Sequence, residues 1–285
     1  MSRLCAPARP LPVPVRRFAL SVLASEILRD VAVTLQARGI PVMPLKGVLF
    51  QRLLYADPTE RLLSDVDVLV PESEFEVAIQ ALRDASFCAP RVGRSLVEVA
   101  LRSPKGLDVD LHRRLFSPAR YRLETDAVFR RATRDDRLLG VPLYIAHPLD
   151  TAAHLIGKFV SDHVVADSLK RLRELLLWVE HCDIQPEALA SHLDAHGLSR
   201  AARYALGCGN EVLGNPFFSA TLAALPPDPI GRACAHVARS LMPRWRRTPL
   251  AAAPSHLLND SIFRASASAF WSAFNRWQST RYTVS

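Results

Sequence analysis

The feature that most constrains the fold is a pair of short stretches in which Asp alternates with Val or Leu, SDVDVLV at 64–70 and LDVDLH at 107–112. Successive side chains of a strand point to opposite faces, so Asp65 and Asp67 share one face and the valines between them share the other. Asp108 and Asp110 share a face in the same way. Each stretch is therefore predicted to be a strand with an apolar face and an acidic face.

The acidic faces predict a metal site. Neighbouring carboxylates repel, and each disfavours ionisation of the other unless a cation lies between them. A carboxylate from the second strand can join Asp65 and Asp67 across the sheet, and three oxygen ligands suit Mg²⁺. This combination is typical of a phosphoryl-transfer site. The alternative is an acidic strand face that is simply solvated.

A second motif, MPLKGVLF at 43–50, places Lys46 and Gly47 where a short strand turns into a helix. Glycine permits close backbone approach, the N–H groups at a helix start can receive an anion, and lysine adds a positive charge suited to a triphosphate. Arg61, four residues before Asp65, can reach the same phosphates with its planar guanidinium. Alternatively, Lys46 is an ordinary surface lysine and Arg61 pairs with Glu60 or Asp65.

The organisation of the chain changes near residue 145. Residues 1–17 are proline-rich and are predicted to form a flexible arm, and a helix is predicted from residue 18 to about 38. Strands and helices alternate over the first domain, 18–145, with a short edge strand predicted at IPVMPLKG because of its prolines. Helical periodicity dominates the second domain, 146–285.

Composition limits the class of protein. The 285 residues are 49% hydrophobic, which is enough for a globular core, and the net charge of +8 is compatible with polyanionic partners such as nucleotides or nucleic acid. The five cysteines form no CxxC pair, which favours reduced thiols in a cytoplasmic protein. The apolar run near the N-terminus continues into an amphipathic helix, and no stretch is long enough to span a membrane.

In this order, LKG, LYADPTERLLSDVDVLV and VDLH resemble the uncharacterised nucleotidyltransferase family of the DNA polymerase beta-like superfamily. The resemblance covers about residues 20–215, since HPLDTAAHL and LKRLRELLLWVEHCDI also resemble the helical half of that family. It implies an α+β fold, in which a small mixed sheet with flanking helices is followed by a mostly helical C-terminal region. The glycine-serine that the wider superfamily carries at the strand–helix turn is replaced here by Lys46-Gly47.

The resemblance also implies roles for individual residues. Asp65 and Asp67 would bind Mg²⁺ with Asp110 as the third carboxylate, preferred over Asp108 because it directly precedes Leu-His. The candidate nucleotide-binding residues are Lys46, Gly47, Arg61 and Ser64.

The implied reaction transfers a nucleoside monophosphate from an NTP such as ATP to a hydroxyl acceptor and releases pyrophosphate. The acceptor is a small molecule, a peptide or protein, or an RNA end, and neither membrane association nor stable DNA binding is expected. Two alternatives stay open, a non-catalytic nucleotide-binding or interaction protein that keeps the fold, and a toxin-like tRNA nucleotidyltransferase.

The histidines singled out by the sequence are predicted to have structural roles. His112 is predicted to face away from Asp110. His147, His154 and His163 lie in the helical half without metal-ligand spacing, and core or surface positions are expected for them.

Overall fold

The computed structural model describes residues 12–88, 95–161, 165–245, 253–256, 258–261, 263–264, 266–267 and 269–270. The strands are β1 Met43–Pro44, β2 Asp65–Leu69, β3 Glu98–Arg102, β4 Asp108–His112, β5 Thr133–Asp135 and β6 Leu143–Ile145. The helices are α1 Val13–Gln36, α2 Val48–Leu54, α3 Phe75–Asp84, α4 Thr125–Arg131, α5 Pro148–Ser161, α6 Val165–His181, α7 Pro186–Ala195, α8 Ser199–Leu213, α9 Pro216–Ala224, α10 Pro229–Trp245 and α11 Ala253–His256.

Four of the strands form one mixed sheet in the order β1-β2-β4-β3. The two central strands, β2 and β4, run parallel, and each outer strand is antiparallel to its neighbour. β1 is at the edge, as its prolines predicted, because proline cannot donate to a sheet ladder. The α+β class is confirmed: a small mixed sheet with helices precedes a helical C-terminal region.

One face of this sheet belongs to the core. The alternation predicted for the two acidic strands is observed, and their apolar side chains are buried against α1 and α3. The buried residues of the two central strands on this face are Val66, Val68, Val109 and Leu111. Each buried Val or Leu contributes about 1.5–3 kcal/mol to folding, so this face fixes the strand orientation and turns the aspartates to the opposite side.

Helices α5 to α10 build a second hydrophobic cluster, which also includes Phe50 of α2. The rings of Phe50 and Trp178 of α6 lie 5.3 Å apart between centroids, and Trp178 Nε1 donates a 2.9 Å hydrogen bond to the carbonyl of Pro148. Aromatic packing therefore joins α2, which follows the strand–helix turn, to α6 in the helical half.

The N-terminal helix begins earlier than predicted. α1 begins at Val13 rather than at residue 18, because Pro12 precedes the helix and Pro14 lies in its first turn, where proline is tolerated. The rest of the predicted arm, residues 1–11, lies outside the described residues. None of the helices in the described ranges combines the length and hydrophobicity that a membrane span needs.

Candidate active site

The parallel pairing of β2 with β4 brings the predicted carboxylates onto one face of the sheet. Asp67 is directly opposite Asp110, and Asp65 is opposite Asp108. All four side chains point away from the buried valines of these strands. The acidic face predicted from the alternation is therefore assembled from two strands whose paired aspartates are 43 positions apart in the chain.

Asp67 lies at the centre of this face, and two cations hold its carboxylate. Its side chain is 8% exposed, with Oδ1 3.2 Å from His112 Nε2 and Oδ2 3.7 Å from Lys46 Nζ. Burial alone would raise the pKa of Asp67, but the hydrogen bond from His112 and the charge of Lys46 outweigh it and hold the pKa well below its usual range. Asp67 is therefore ionised at any physiological pH.

The other two predicted metal ligands, Asp65 and Asp110, lie in an environment that disfavours their ionised forms. Burial and the charges of Asp67 and Glu98 raise the pKa of Asp110 to about 6. Burial and the charge of Asp67 also raise the pKa of Asp65. Carboxylates that destabilise one another in this way form an environment in which a divalent cation is favourable.

His112 is also part of the acidic face, and the prediction that it faces away from Asp110 is wrong. Two positions separate these residues in β4, so their side chains share a face. His112 Nδ1 lies 2.9 Å from Oε2 of Glu98, its register partner in β3. Burial would lower the pKa of His112, but hydrogen bonding to Asp67 and Glu98 raises it to about 9, so the imidazole is charged at neutral pH.

Asp108 occupies a different environment from Asp110. Its side chain is 46% exposed, and Oδ1 lies 2.9 Å from Nη1 of Arg102 on β3. Asp110 is instead adjacent to Asp67 in the register. Of the two aspartates that the sequence offered as a third ligand, the structure thus places Asp110 nearer to the centre of the acidic face.

A cleft with a volume of about 150 Å³ opens beside Asp65 and Asp67. All four candidate nucleotide-binding residues are in its wall, whereas Asp110 is not. Helix α6 adds three residues that sequence reasoning missed. The complete wall comprises Lys46, Gly47, Arg61, Leu62, Leu63, Ser64, Asp65, Asp67, Lys170, Arg171 and Glu174.

Gly47 makes the strand–helix turn possible. Its φ of 57° and ψ of −118° belong to a region that residues with a side chain rarely adopt. A Cβ at this position would lie 3.9 Å from Asp67 Oδ2, so the glycine backbone passes close to the central carboxylate. The turn thus needs glycine for its conformation and brings the adjacent Lys46 to Asp67.

Arg61 is buried and pairs with neither of the partners considered from the sequence. Its Nε lies 2.8 Å from Oε1 of Glu174, and the two side chains are only 6% and 2% exposed. The hydroxyl of Tyr55 is 3.5 Å from the same oxygen. Lys170 and Arg171 lie four and three residues before Glu174, so the three residues share one side of α6. The ion pair therefore fixes the cleft-lining side of α6 against the segment that precedes β2.

The donor chemistry of the acidic face fits Mg²⁺, which prefers carboxylate oxygens over imidazole or thiolate. No selection of one carboxylate oxygen from each of Asp65, Asp67 and Asp110 brings the three atoms within 4.8 Å of one another. Lys46 and His112 contact the Asp67 carboxylate instead. Side-chain adjustment would therefore accompany binding of a shared ion.

Comparison with known proteins identifies one family. The family model described as uncharacterised nucleotidyltransferase matches residues 19–214, which is more than half of the chain. An antigenic nucleotidyltransferase-like protein from Paracoccidioides brasiliensis is a similar solved structure, with 16% identity, a TM-score of 0.39 and coverage of 74% of this chain and 94% of that one. A tRNA-processing enzyme in an apo form has 12% identity and a TM-score of 0.27, covering 96% of this chain and 78% of that one. No curated protein matches the chain.

Proposed function

Because the chain belongs to the uncharacterised nucleotidyltransferase family, we propose that it is an Mg²⁺-dependent nucleotidyltransferase. The reaction moves a nucleoside monophosphate from an NTP to a hydroxyl acceptor and releases pyrophosphate. The acceptor, the preferred NTP, the cytoplasmic location and the division into units 18–145 and 146–285 stay predictions.

The observation that carries the proposal is the parallel register of β2 and β4. It sets Asp67 beside Asp110 and leaves Asp65 on the same face. The cleft that adjoins this face is lined by cationic side chains, among them Lys46, Lys170 and Arg171. Carboxylates next to cations are what an Mg²⁺–triphosphate complex requires, since the ion binds the acids and the phosphates bind the bases.

In this mechanism Asp65, Asp67 and Asp110 hold the ion, and the cationic wall orients the triphosphate. When bound, Mg²⁺ neutralises charge on the triphosphate and lowers the pKa of the acceptor hydroxyl. The charged imidazole of His112 keeps the Asp67 carboxylate ionised and oriented. The rest of the rate enhancement comes from positioning and charge, which supply most of the catalysis in phosphoryl transfer.

The test compares two aspartates on the same strand. The protein is incubated with each α-labelled NTP, with and without Mg²⁺, in the presence of cell extract, and label transfer and pyrophosphate release are measured. We expect Asp110→Asn to lower the rate on the order of 10³-fold, equivalent to about 4 kcal/mol of transition-state stabilisation. Asp108→Asn, the matched control at a half-exposed position paired with Arg102, should keep nearly full activity.

Two results would overturn the proposal. One is the absence of Mg²⁺-dependent transfer and of pyrophosphate release with every NTP and extract. The other is an equal effect of Asp110→Asn and Asp108→Asn, because the acidic face would then have no catalytic centre at Asp110.

A second candidate function is nucleotide binding without turnover. It is favoured by the two cations that already contact Asp67 and by the separation of the three carboxylates. Calorimetry with a non-hydrolysable NTP distinguishes the two functions. Mg²⁺-dependent affinity without any turnover of the natural NTPs would establish the second one.

A further inference from the structure

A second group of possible metal ligands lies outside the cleft, where α5 meets α7. Asp150 is in the first turn of α5, His192 is in the last turn of α7, and His196 is the C-cap residue of that helix. One ligand atom from each residue lies within 4.8 Å of the other two. No other set of three His, Cys, Asp or Glu residues meets this criterion in the part of the chain that the structure describes.

The donor types differ from those of the acidic face. Two imidazoles and a carboxylate are a ligand set that Zn²⁺ takes, with a fourth position left for water, whereas Mg²⁺ disfavours imidazole. His192 Nε2 is 2.9 Å from Asp150 Oδ1. Two ligands of a tetrahedral zinc are about 3.3 Å apart, so this pair already has nearly the required spacing. We propose that Asp150, His192 and His196 form a Zn²⁺ site.

Neighbouring groups orient two of the three ligands. The Asp150 side chain is fully buried, and Arg131 contacts both of its oxygens, with Nη2 2.7 Å from Oδ1 and Nε 2.9 Å from Oδ2. His196 Nδ1 lies 3.3 Å from the backbone carbonyl oxygen of Arg122. An N–H donated to that carbonyl leaves Nε2 as the nitrogen that ligates. Ligating carboxylates and histidines in metal sites are held in this way by hydrogen bonds on their outer side.

The competing explanation is an ion-pair network without a metal. Such a network accounts for Arg131 and His192, which each contact the Asp150 carboxylate. The ion-pair explanation does not require His196 to contact the Asp150 carboxylate. The ring of His196 packs against that of His192, with centroids 4.5 Å apart. His196 therefore discriminates between the two explanations. The His192 side chain is 12% exposed, so an ion can enter from solvent.

The experiment uses the full chain after removal of metals with a chelator, and Zn²⁺ alone is the probe. Because carboxylates of the acidic face can also bind Zn²⁺, every measurement is made in an Asp65→Asn, Asp67→Asn background. Zinc affinity is measured by competition with a chromophoric chelator, and the melting temperature with and without Zn²⁺ is a second readout. His236→Ala, which removes an exposed histidine of α10, is the matched control.

We expect about one Zn²⁺ per chain and a rise in melting temperature on its addition, because the ion binds only the folded state. Loss of an outer partner of a metal site typically lowers affinity about 10- to 100-fold. Loss of a ligand in His196→Ala should lower it at least as much and abolish the rise in melting temperature. His236→Ala should bind like the background protein.

The proposal is overturned if the background protein does not bind the added Zn²⁺, or if His196→Ala binds Zn²⁺ as tightly as His236→Ala does. Either result would leave an ion-pair network only. Circular dichroism without Zn²⁺ verifies that His196→Ala is folded, and His196→Gln supplies a second test at the same position. Because the acidic face is disabled throughout, neither result bears on the nucleotidyltransferase function.

Discussion

At the scale of single residues, the acidic face holds carboxylates in an electrostatically unfavourable environment, as the proposed metal site would require. Asp110 lies next to Asp67 and near Glu98, and their negative charges disfavour its ionised form. Lys46 and His112 contact Asp67 but leave Asp110 without comparable compensation. A carboxylate kept in such a position destabilises the metal-free fold, which is common where function requires strained electrostatics.

This cost predicts a pH-dependent gain in stability for Asp110→Asn. The pKa of Asp110 is raised from 3.8 to about 6, so between these pH values the folded state binds more protons than the unfolded state. The free energy of unfolding of the wild type therefore decreases, through this residue, as pH rises across that window. Asparagine does not titrate, so the variant should be more stable than the wild type above about pH 6, and the difference should shrink towards about pH 4.

Urea unfolding of both proteins across this pH range, with a chelator present, measures the difference. Asp108→Asn is the control, because its carboxylate is half-exposed and already paired with Arg102. A stability difference between wild type and Asp110→Asn that does not change with pH would contradict the electrostatic explanation.

Single residues also show where sequence reasoning succeeds and where it fails. Alternation alone identified the shared face of Asp65 and Asp67, because strand geometry is local. The same rule, applied to the correct count of two positions, would have placed His112 beside Asp110. The partner of Arg61 could not be found in this way, since Glu174 is 113 residues away and only tertiary packing brings them together.

At the scale of secondary-structure elements, the turn between β1 and α2 is the part of the site whose conformation depends most on a particular residue, Gly47. MPLKG predicted a strand that turns into a helix, and the structure has β1 ending at Pro44 and α2 beginning at Val48. By contrast, the hairpin of β5 and β6 was not predicted. Each of its strands has only three residues, too few for alternation to be recognised.

We expect Gly47→Ala to lower both stability and nucleotide affinity. A Cβ is compatible with the space at this position but not with the positive φ, so the substitution should cost about 1–2 kcal/mol. Relief of this strain would displace Lys46 from Asp67. Chemical unfolding and calorimetric titration with a non-hydrolysable NTP measure the two effects.

Gly106→Ala is the matched control for this prediction. Gly106 also has a positive φ, of 90°, with nothing near its added Cβ, but it lies in the turn between β3 and β4 and is not part of the cleft wall. The Gly106→Ala variant should be less stable than the wild type and should bind NTP with unchanged affinity. If both variants bind NTP normally, the Gly47 turn does not position a nucleotide-binding group.

At the scale of the whole molecule, the Arg61–Glu174 ion pair couples the sheet to the helical half. Arg61 lies just before β2, and Glu174 is in α6, next to the Lys170 and Arg171 that line the cleft. The backbone carbonyl of Arg61 also accepts a 2.9 Å hydrogen bond from the side-chain Nε2 of buried Gln51. The cleft therefore depends on how α6 is held against the strand that carries the aspartates.

Glu174→Ala should be strongly destabilising, because it leaves the Arg61 guanidinium buried without its partner. The expected loss is about 3–5 kcal/mol, measured by chemical unfolding. The double variant Arg61→Met, Glu174→Leu should recover most of this stability, since an apolar pair of similar size often replaces a buried ion pair at little cost.

NTP affinity tests whether this pair does more than stabilise the fold. If it does, the double variant will be stable and will still bind NTP more weakly than the wild type, because the pair orients the cationic side of α6 or because Arg61, in the cleft wall, contacts the nucleotide itself. Recovery of both stability and affinity would show that the pair contributes only to folding.

The register of the two central strands has one further consequence, for how the chain avoids misfolding. If β4 shifted along β2 by one position, its side chains would exchange faces. Asp108 and Asp110 would then point into the hydrophobic core formed with α1 and α3. Burying ionised carboxylates there without partners costs far more than any contacts so gained. The aspartates proposed as metal ligands thus also fix the strand register. A variant that replaces them with apolar residues should mispair and aggregate more readily.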